Sequence, residues 1–287
     1  MHCTLRITRI PITKRGLPFN SFTSNSDMVP FSSSDFFLVM AIFVALLALV
    51  KKIAPEKTYR ECLFVLNATF LIVFYPDPLL YFSFIVYSYA ITWLFGKKLR
   101  LPLKIYGILV LLLPMLLVKF NIRFSVYPFE LNYILSFAGL SYASFRTMSY
   151  FMDKDPKADM ADPVSYFNYL SFTPTLLIGP IDRFAHFKAA QDKGFSSITA
   201  DNYITGWNDL LKGIVFKYIF AELVDRYWLN AFPSGSRELT HMANAMYAYY
   251  AYLFFDFAGY SSMAIGLGRM MGITVPVNFT NPFLAVN

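Results

Sequence analysis

The sequence predicts an all-α, multi-pass transmembrane helical bundle with re-entrant or broken helices, and three observations carry that reading. Hydrophobic residues make up 56% of the chain and charged residues 15%, whereas ordinary soluble domains sit near roughly 45–50% and 25%. The apolar residues gather in runs that approach the length needed to cross a bilayer, with lysine and arginine clustered at their ends. The third observation is a single carboxylate. From Glu238 to Arg269, Asp256 is the only ionised side chain in a segment long enough to span a membrane.

Residues 1–27 stand apart. They are rich in Ser, Thr and Asn, carry Arg6, Arg9, Lys14 and Arg15, and lack the continuous apolar core that a signal peptide needs. We read them as a disordered or spurious extension, with Met28 as the natural start and residues 28–287 as one membrane domain. The first membrane helix is predicted at about 36–50, followed by Lys51, Lys52, Lys57 and Arg60. A second run, 63–75, closes on Pro76-Asp77-Pro78. The third, 79–95, precedes Lys97, Lys98, Arg100 and Lys104, and the fourth covers about 105–118. Cations follow the first and third helices, which places those loops in the cytoplasm and the mature start outside. The four cations of the extension run against that orientation. Spans shorter than about 20 residues imply tilted or partly protein-buried helices.

The middle of the chain is less regular. Residues 133–151 are apolar but hold Arg146, and the charged loop Asp153-Lys-Asp-Pro-Lys157 after them is cytoplasmic by alternation. Residues 166–178 are apolar yet interrupted at Pro174 and then by Gly179-Pro180. Proline lacks the amide donor and pushes its predecessor out of the helical region, so no continuous helix passes that pair. Irregular backbone at membrane depth survives only where it is buried in protein or lines a cavity. A re-entrant segment ending at Asp182 and Arg183 is the expected structure. The plainer alternative is an interfacial loop with a surface ion pair.

Residues 203–229 read as a long amphipathic helix. Trp207, Leu210, Leu211, Ile214, Tyr218 and Ile219 recur at three- and four-residue steps, with Lys212, Lys217 and Glu222 elsewhere on the wheel. Such a helix lies in the membrane interface or packs across a bundle. After the loop Ser234-Gly-Ser-Arg-Glu238, His241 opens the helix that carries Asp256. Gly259, Ser262 and Gly266 form a small-residue stripe on it, suited to close helix contact. A carboxylate at helix centre costs roughly 2.5–3.5 kcal/mol on insertion scales, so Asp256 should face protein or water. It is either paired with a neighbouring helix or lining a substrate path.

Several function classes are disfavoured by what the residues lack. A net charge of +7 is compatible with nucleic acid, but the basic residues flank apolar runs and form no patch. Membrane lipid is the expected partner, and nucleic acid is not. Two cysteines, Cys3 and Cys62, support neither a disulfide scaffold nor a metal site, and no metal is expected. Cys62 opens an apolar run and reads as a small core residue. There is no Gly-x-Ser-x-Gly elbow and no phosphate loop. The histidines are His2, His186 and His241, and His186 sits in a polar stretch that reads as surface.

Three blocks carry a family resemblance. They are Gly139-Leu-Ser-Tyr-Ala-Ser-Phe-Arg-Thr-Met-Ser-Tyr150, Phe172-Thr-Pro-Thr-Leu-Leu-Ile-Gly-Pro-Ile-Asp-Arg-Phe184, and Tyr252-Leu-Phe-Phe-Asp-Phe-Ala-Gly-Tyr-Ser-Ser-Met-Ala-Ile-Gly-Leu-Gly268 with its continuation to Phe283. Together, over residues 30–287, the chain resembles the membrane-bound O-acyltransferase family. The ending Ile181-Asp182-Arg183 leans toward the branch that D-alanylates cell-envelope polymers. That resemblance implies a multi-pass protein of the bacterial cell membrane whose helices enclose a funnel or tunnel. The donor it implies is a D-alanyl thioester on the phosphopantetheine of a small cytosolic carrier protein, with no bound cofactor. The implied acceptor is a hydroxyl of an envelope polymer such as teichoic acid.

Acyl transfer to a hydroxyl needs a base, usually histidine. In the family that histidine lies downstream of the landmark that is Asn281-Pro282-Phe283 here. The chain is therefore expected to be the N-terminal part of such an enzyme, with no catalytic residue of its own and no activity alone. Arg146, Asp182, Arg183 and Asp256 are the candidates for the polar tunnel wall, acting in substrate orientation, water exclusion or charge pairing. The alternatives are O-acetylation of a polysaccharide such as alginate, and a non-catalytic membrane scaffold or transport subunit.

Overall fold

A computed structural model of the protein describes residues 34–75, 78–96, 101–124, 139–155, 159–176, 179–231 and 239–278. Among them every regular element is helical. The expectations for residues 1–27, the Pro76-Asp77 turn, the start of the 133–151 run, residues 156–157, the loop at 234–238 and the Asn281-Pro282-Phe283 landmark lie outside the described residues.

Four long helices come first. α1 (Ser34–Ile53) buries Phe36, Val39, Met40, Phe43 and Leu47, a single stripe at three- and four-residue steps. Its opposite face is just as apolar and is open, with Leu38, Ile42, Leu46 and Leu49 exposed. A helix that is apolar all round yet covered by protein on one side only is suited to lipid on the other. α2 (Thr58–Phe74) and α3 (Pro78–Phe95) repeat the arrangement, burying Leu63, Phe70 and Leu71, and Tyr81, Phe84 and Ile85. α4 (Leu101–Phe124) contains Pro114. Of these, α1, α3 and Pro102–Phe120 of α4 are long and apolar enough to cross a membrane.

The centre is built by α5 (Leu140–Asp153) and the short α6 (Pro163–Ser171). α6 begins at Pro163, whose missing amide costs nothing there, and the Asp162 carboxylate accepts the Ser165 amide at 3.0 Å. From Ser165 to Leu176 every residue is buried. Buried amide side chains are tolerable only when satisfied. The Asn168 amide donates to the Arg60 carbonyl at 3.1 Å and to Gln191 Oε1 at 3.2 Å, and Gln191 Nε2 donates to Ser165 Oγ at 2.7 Å. These bonds tie α6 to α2 and to α7 (Phe184–Asp192).

The expected break follows. α6 stops at Ser171, and the chain tightens into a 3-10 turn, Thr173–Thr175, around Pro174. The amide and hydroxyl of Thr173 both donate to Asn67 Oδ1, at 3.1 and 2.9 Å, so the irregular backbone is satisfied inside protein. Beyond Gly179-Pro180 the chain returns alongside α6, because the Tyr169 hydroxyl donates to the Asp182 carbonyl at 2.7 Å.

After the single turn α8 (Gly194–Ser197), the long helix expected over 203–229 is one helical rod with a change of pitch. α9 (Ala200–Ile214) runs into a π-helical stretch, Val215–Ala221, and then α10 (Glu222–Tyr227). α11 (Leu239–Met270) packs antiparallel along it. The packed face keeps Leu210 and Ile214 of the expected stripe and departs from the rest of it. Gly206, Leu210, Gly213 and Ala221 are buried, while Trp207, Leu211, Tyr218 and Ile219 are exposed. A Cβ on Gly206 would stand 2.7 Å from the Gly266 carbonyl oxygen, and one on Gly213 2.6 Å from that of Gly259. Backbones this close leave room for Leu210 but not for the other large residues of the amphipathic pattern that stand exposed. Gly259 and Gly266 sit on this seam as their spacing suggested, whereas Ser262 lies half-buried beside it. Beyond α11 a turn at Gly272, in the left-handed region at φ 90°, brings the chain to α2, where the buried Tyr59 hydroxyl donates to the Met271 carbonyl at 2.7 Å.

Candidate functional site

Among the described residues, the interior of the bundle holds one guanidinium. Arg146 projects from the inner face of α5, beside Ala143, Thr147 and Tyr150, and is 1% exposed. Its guanidinium lies 4.4 Å from the centre of the Tyr169 ring and 5.6 Å from that of Tyr142, and Nη1 donates to Thr175 Oγ1 at 3.2 Å. Its Nε is buried with no hydrogen-bond partner among the described residues. Aromatic faces stabilise a desolvated cation by about 2 kcal/mol, which helps offset burial without a directly bonded carboxylate.

An acidic group within reach of the Arg146 charge comes from the returning segment. The Tyr169 hydroxyl that holds the Asp182 carbonyl at 2.7 Å also lies 3.3 Å from the Arg146 carbonyl. Tyr169 thus joins the break to α5. The Asp182 carboxylate points the other way, with its oxygens 2.7 and 2.9 Å from His186 Nδ1 one helical turn on. Burial pushes this carboxyl above its usual range, and the hydrogen bond and charge of His186, with the charge of Arg146, offset only part of that rise. The result is a buried acid in contact with an imidazole whose side chain is 47% exposed. Such a pair can pass a proton between the interior and its surroundings or hold the imidazole in one orientation.

Of the four residues expected in the polar wall, the structure brings two together. Arg146 and Asp182 share Tyr169. Arg183 adjoins them in sequence but is 77% exposed and faces Asp153 at 3.6 Å, a surface pair of small energetic weight. Asp256 belongs to another site. It forms an ion pair with Lys217 of the π-helical stretch, and the Lys217 ammonium lies 3.8 Å from the centre of the Tyr260 ring. The pair is mostly buried between α11 and the rod formed by α9 and α10. π-helical turns recur at functional positions, and this one carries the partner of the lone acid.

Sequence reasoning missed Tyr169, Thr175 and Lys217, and it read His186 as a surface group, which its 47% exposure matches, without its bond to Asp182. Lys217 stands four residues after Gly213 and so shares the seam face. A search for small residues, instead of large ones, along residues 203–229 would have placed it there.

Helices apolar on both flanks, a broken segment enclosed by protein and a charge pair held between helices define an all-α membrane bundle. No known family profile matches the chain. The chain is 34% identical over 162 residues to the teichoic acid D-alanyltransferase of Bacillus subtilis, an alignment covering 54% of this chain and 40% of that protein. It is 33% identical over 168 residues to the teichoic acid D-alanyltransferase of Lacticaseibacillus rhamnosus, covering 52% and 40%. The probable alginate O-acetylase AlgI of Pseudomonas aeruginosa is 30% identical over 165 residues, covering 56% and 31%. The alignments span less than half the length of these curated relatives.

Proposed function

We propose that this chain is part of a membrane O-acyltransferase that moves a D-alanyl group onto a hydroxyl of a cell-envelope polymer such as teichoic acid. The observation that supports it most is the similarity at 34% and 33% to two teichoic acid D-alanyltransferases, somewhat above the 30% to an alginate O-acetylase. The donor in this reading is a phosphopantetheine thioester on a small cytosolic carrier protein. The protein is a multi-pass resident of the bacterial cell membrane, with the acceptor on its outer side. Arg146 and Asp182, gathered around Tyr169, orient the transfer path from the interior, and Asp256 with Lys217 contributes a second polar position. Arg183 serves at the surface.

The chain by itself is inactive in this reading. His2 lies outside the described residues, His186 bonds Asp182, and His241 opens α11. None occupies the position downstream of Asn281-Pro282-Phe283 that the resemblance assigns to the base. The test places the chain in vesicles, alone or co-expressed with the later half of a D-alanyltransferase relative, and supplies carrier protein loaded with labelled D-alanine. Label should reach a glycerol-phosphate polymer only in the co-expressed sample. Turnover by the chain alone overturns its inactivity, and acetyl transfer in preference to D-alanyl transfer overturns the branch. A co-expressed sample that assembles yet transfers neither group leaves the scaffold reading standing.

A further inference from the structure

A cavity of about 340 Å³ lies between α9, the π-helical stretch and α11, and includes neither Arg146, Asp182, Lys217 nor Asp256. Its lining is graded along the two antiparallel helices. At one end Asp209 of α9 pairs with Arg269 of α11 at 3.0 Å. In the middle stand Lys212 and Ser261, and at the far end Phe216 and Phe254 close an apolar floor. From Phe254 to Arg269 the rise along α11 is roughly 22 Å at about 1.5 Å per residue.

Two features point to an absent ligand. The two cations face only one carboxylate, and Lys212 has no carboxylate partner among the described residues. The Ser261 hydroxyl, on a residue 4% exposed, has no hydrogen-bond partner among the described residues, although a buried hydroxyl is normally satisfied. An occupant that fits must bring one negative charge, an acceptor for the serine and a tail for the aromatic end. The cleft is partly open, and on the rod an exposed aromatic residue, Phe220, continues past its apolar end. A lipid tail can follow that surface where a soluble anion cannot.

We propose that this cavity seats the phosphate head and first tail carbons of an anionic phospholipid, with Lys212 and Arg269 on the phosphate and Ser261 donating to one of its oxygens. The inference needs only that the helices lie in a membrane, and it stands or falls separately from the transfer reaction.

The test uses the full chain, purified in a neutral detergent. Phosphatidylglycerol or phosphatidylcholine with identical acyl chains is added, bound lipid is counted by native mass spectrometry, and unfolding is followed in parallel. Phosphatidylglycerol should be retained preferentially and should raise the unfolding temperature. Lys212→Gln should weaken it about fivefold, the value expected for one basic residue near an anionic headgroup, whereas Lys52→Gln, at the exposed end of α1, should not. Ser261→Val should weaken it too. If that variant fails to fold, the exposed Lys212→Gln still decides. Equal retention of the two lipids overturns the proposal, as does wild-type binding by Lys212→Gln. Stabilisation by glycerol 3-phosphate at equal concentration marks a headgroup site without a tail and overturns the lipid assignment. Loss of phosphatidylglycerol on co-expression with the later half of a relative marks a protein-packing surface and overturns it as well.

Discussion

Arg146 is enclosed by two tyrosine rings and one threonine hydroxyl, so its contribution divides into charge and volume. Arg146→Met keeps most of the volume and releases the cost of burying a cation, while losing about 2 kcal/mol of ring contact. Arg146→Ala adds a cavity, and such truncations cost about 2–5 kcal/mol. Denaturant unfolding in detergent should therefore rank alanine well below methionine, and equal loss from both would mean that the charge alone matters. Asp162 offers a pH-dependent case. Burial, the largest single influence on it, pushes its carboxyl up, yet the Ser165 hydrogen bonds with the charges of Arg60 and Lys188 outweigh that and hold it below its usual 3.8. Its capping contribution is then present above 3.8 and is lost as the pH falls through the lowered value. Asp162→Ala should cost about 1 kcal/mol at neutral pH. Comparing unfolding midpoints of variant and wild type, the gap should close only in the acid range below ordinary carboxylates.

At the scale of elements, α11 and the rod of α9 and α10 form a hairpin whose register is set by glycines and by charges of opposite order. Asp209 faces Arg269 and Lys217 faces Asp256, so each helix contributes one acid and one base to the two pairs, and slippage along the seam parts both. Gly213→Ala should cost about 1–3 kcal/mol, since its Cβ would meet Met263 Cγ at 2.5 Å and the Gly259 backbone at 2.6 Å. Lys217→Met alone should cost about 3–5 kcal/mol by stranding Asp256, whereas Lys217→Met with Asp256→Leu should recover most of that loss. Unfolding of Lys217→Met, Asp256→Leu and the double variant measures this directly, and additive losses would show that the two residues act independently. The helices themselves were legible because apolar runs and basic flanks follow from bilayer thickness. The break at Pro174 and Gly179-Pro180 was legible because proline chemistry is local. The packing face of α9 was not, since hydrophobic periodicity marks any apolar stripe, including one turned to lipid, and says nothing of which stripe a neighbour covers.

For the whole molecule, the same limit explains why the site was only partly readable. Arg146, Tyr169 and Asp182 come together through a chain reversal whose depth no window of sequence contains, while Arg183, adjacent to Asp182, turns outward. Sidedness is testable at this scale. Lys51 donates to the Phe195 carbonyl at 2.6 Å, which puts α8 on the side of the basic loop after α1; the 32-residue α11 ends on that side, beside Gly194, so its start at Leu239 lies on the opposite one. A membrane-impermeant maleimide should label Leu239→Cys on intact cells and Lys188→Cys only after lysis, and the reverse pattern would invert the topology. The bond from Tyr59 to Met271 spans 212 positions, between the beginning of α2 and the turn after α11. During synthesis the early helices must wait in the bilayer with that tyrosine unlatched until nearly all the described chain has left the ribosome. Stalled nascent chains shorter than this point should stay open to protease at the first loop, and Tyr59→Phe should leave the finished protein with the same weakness.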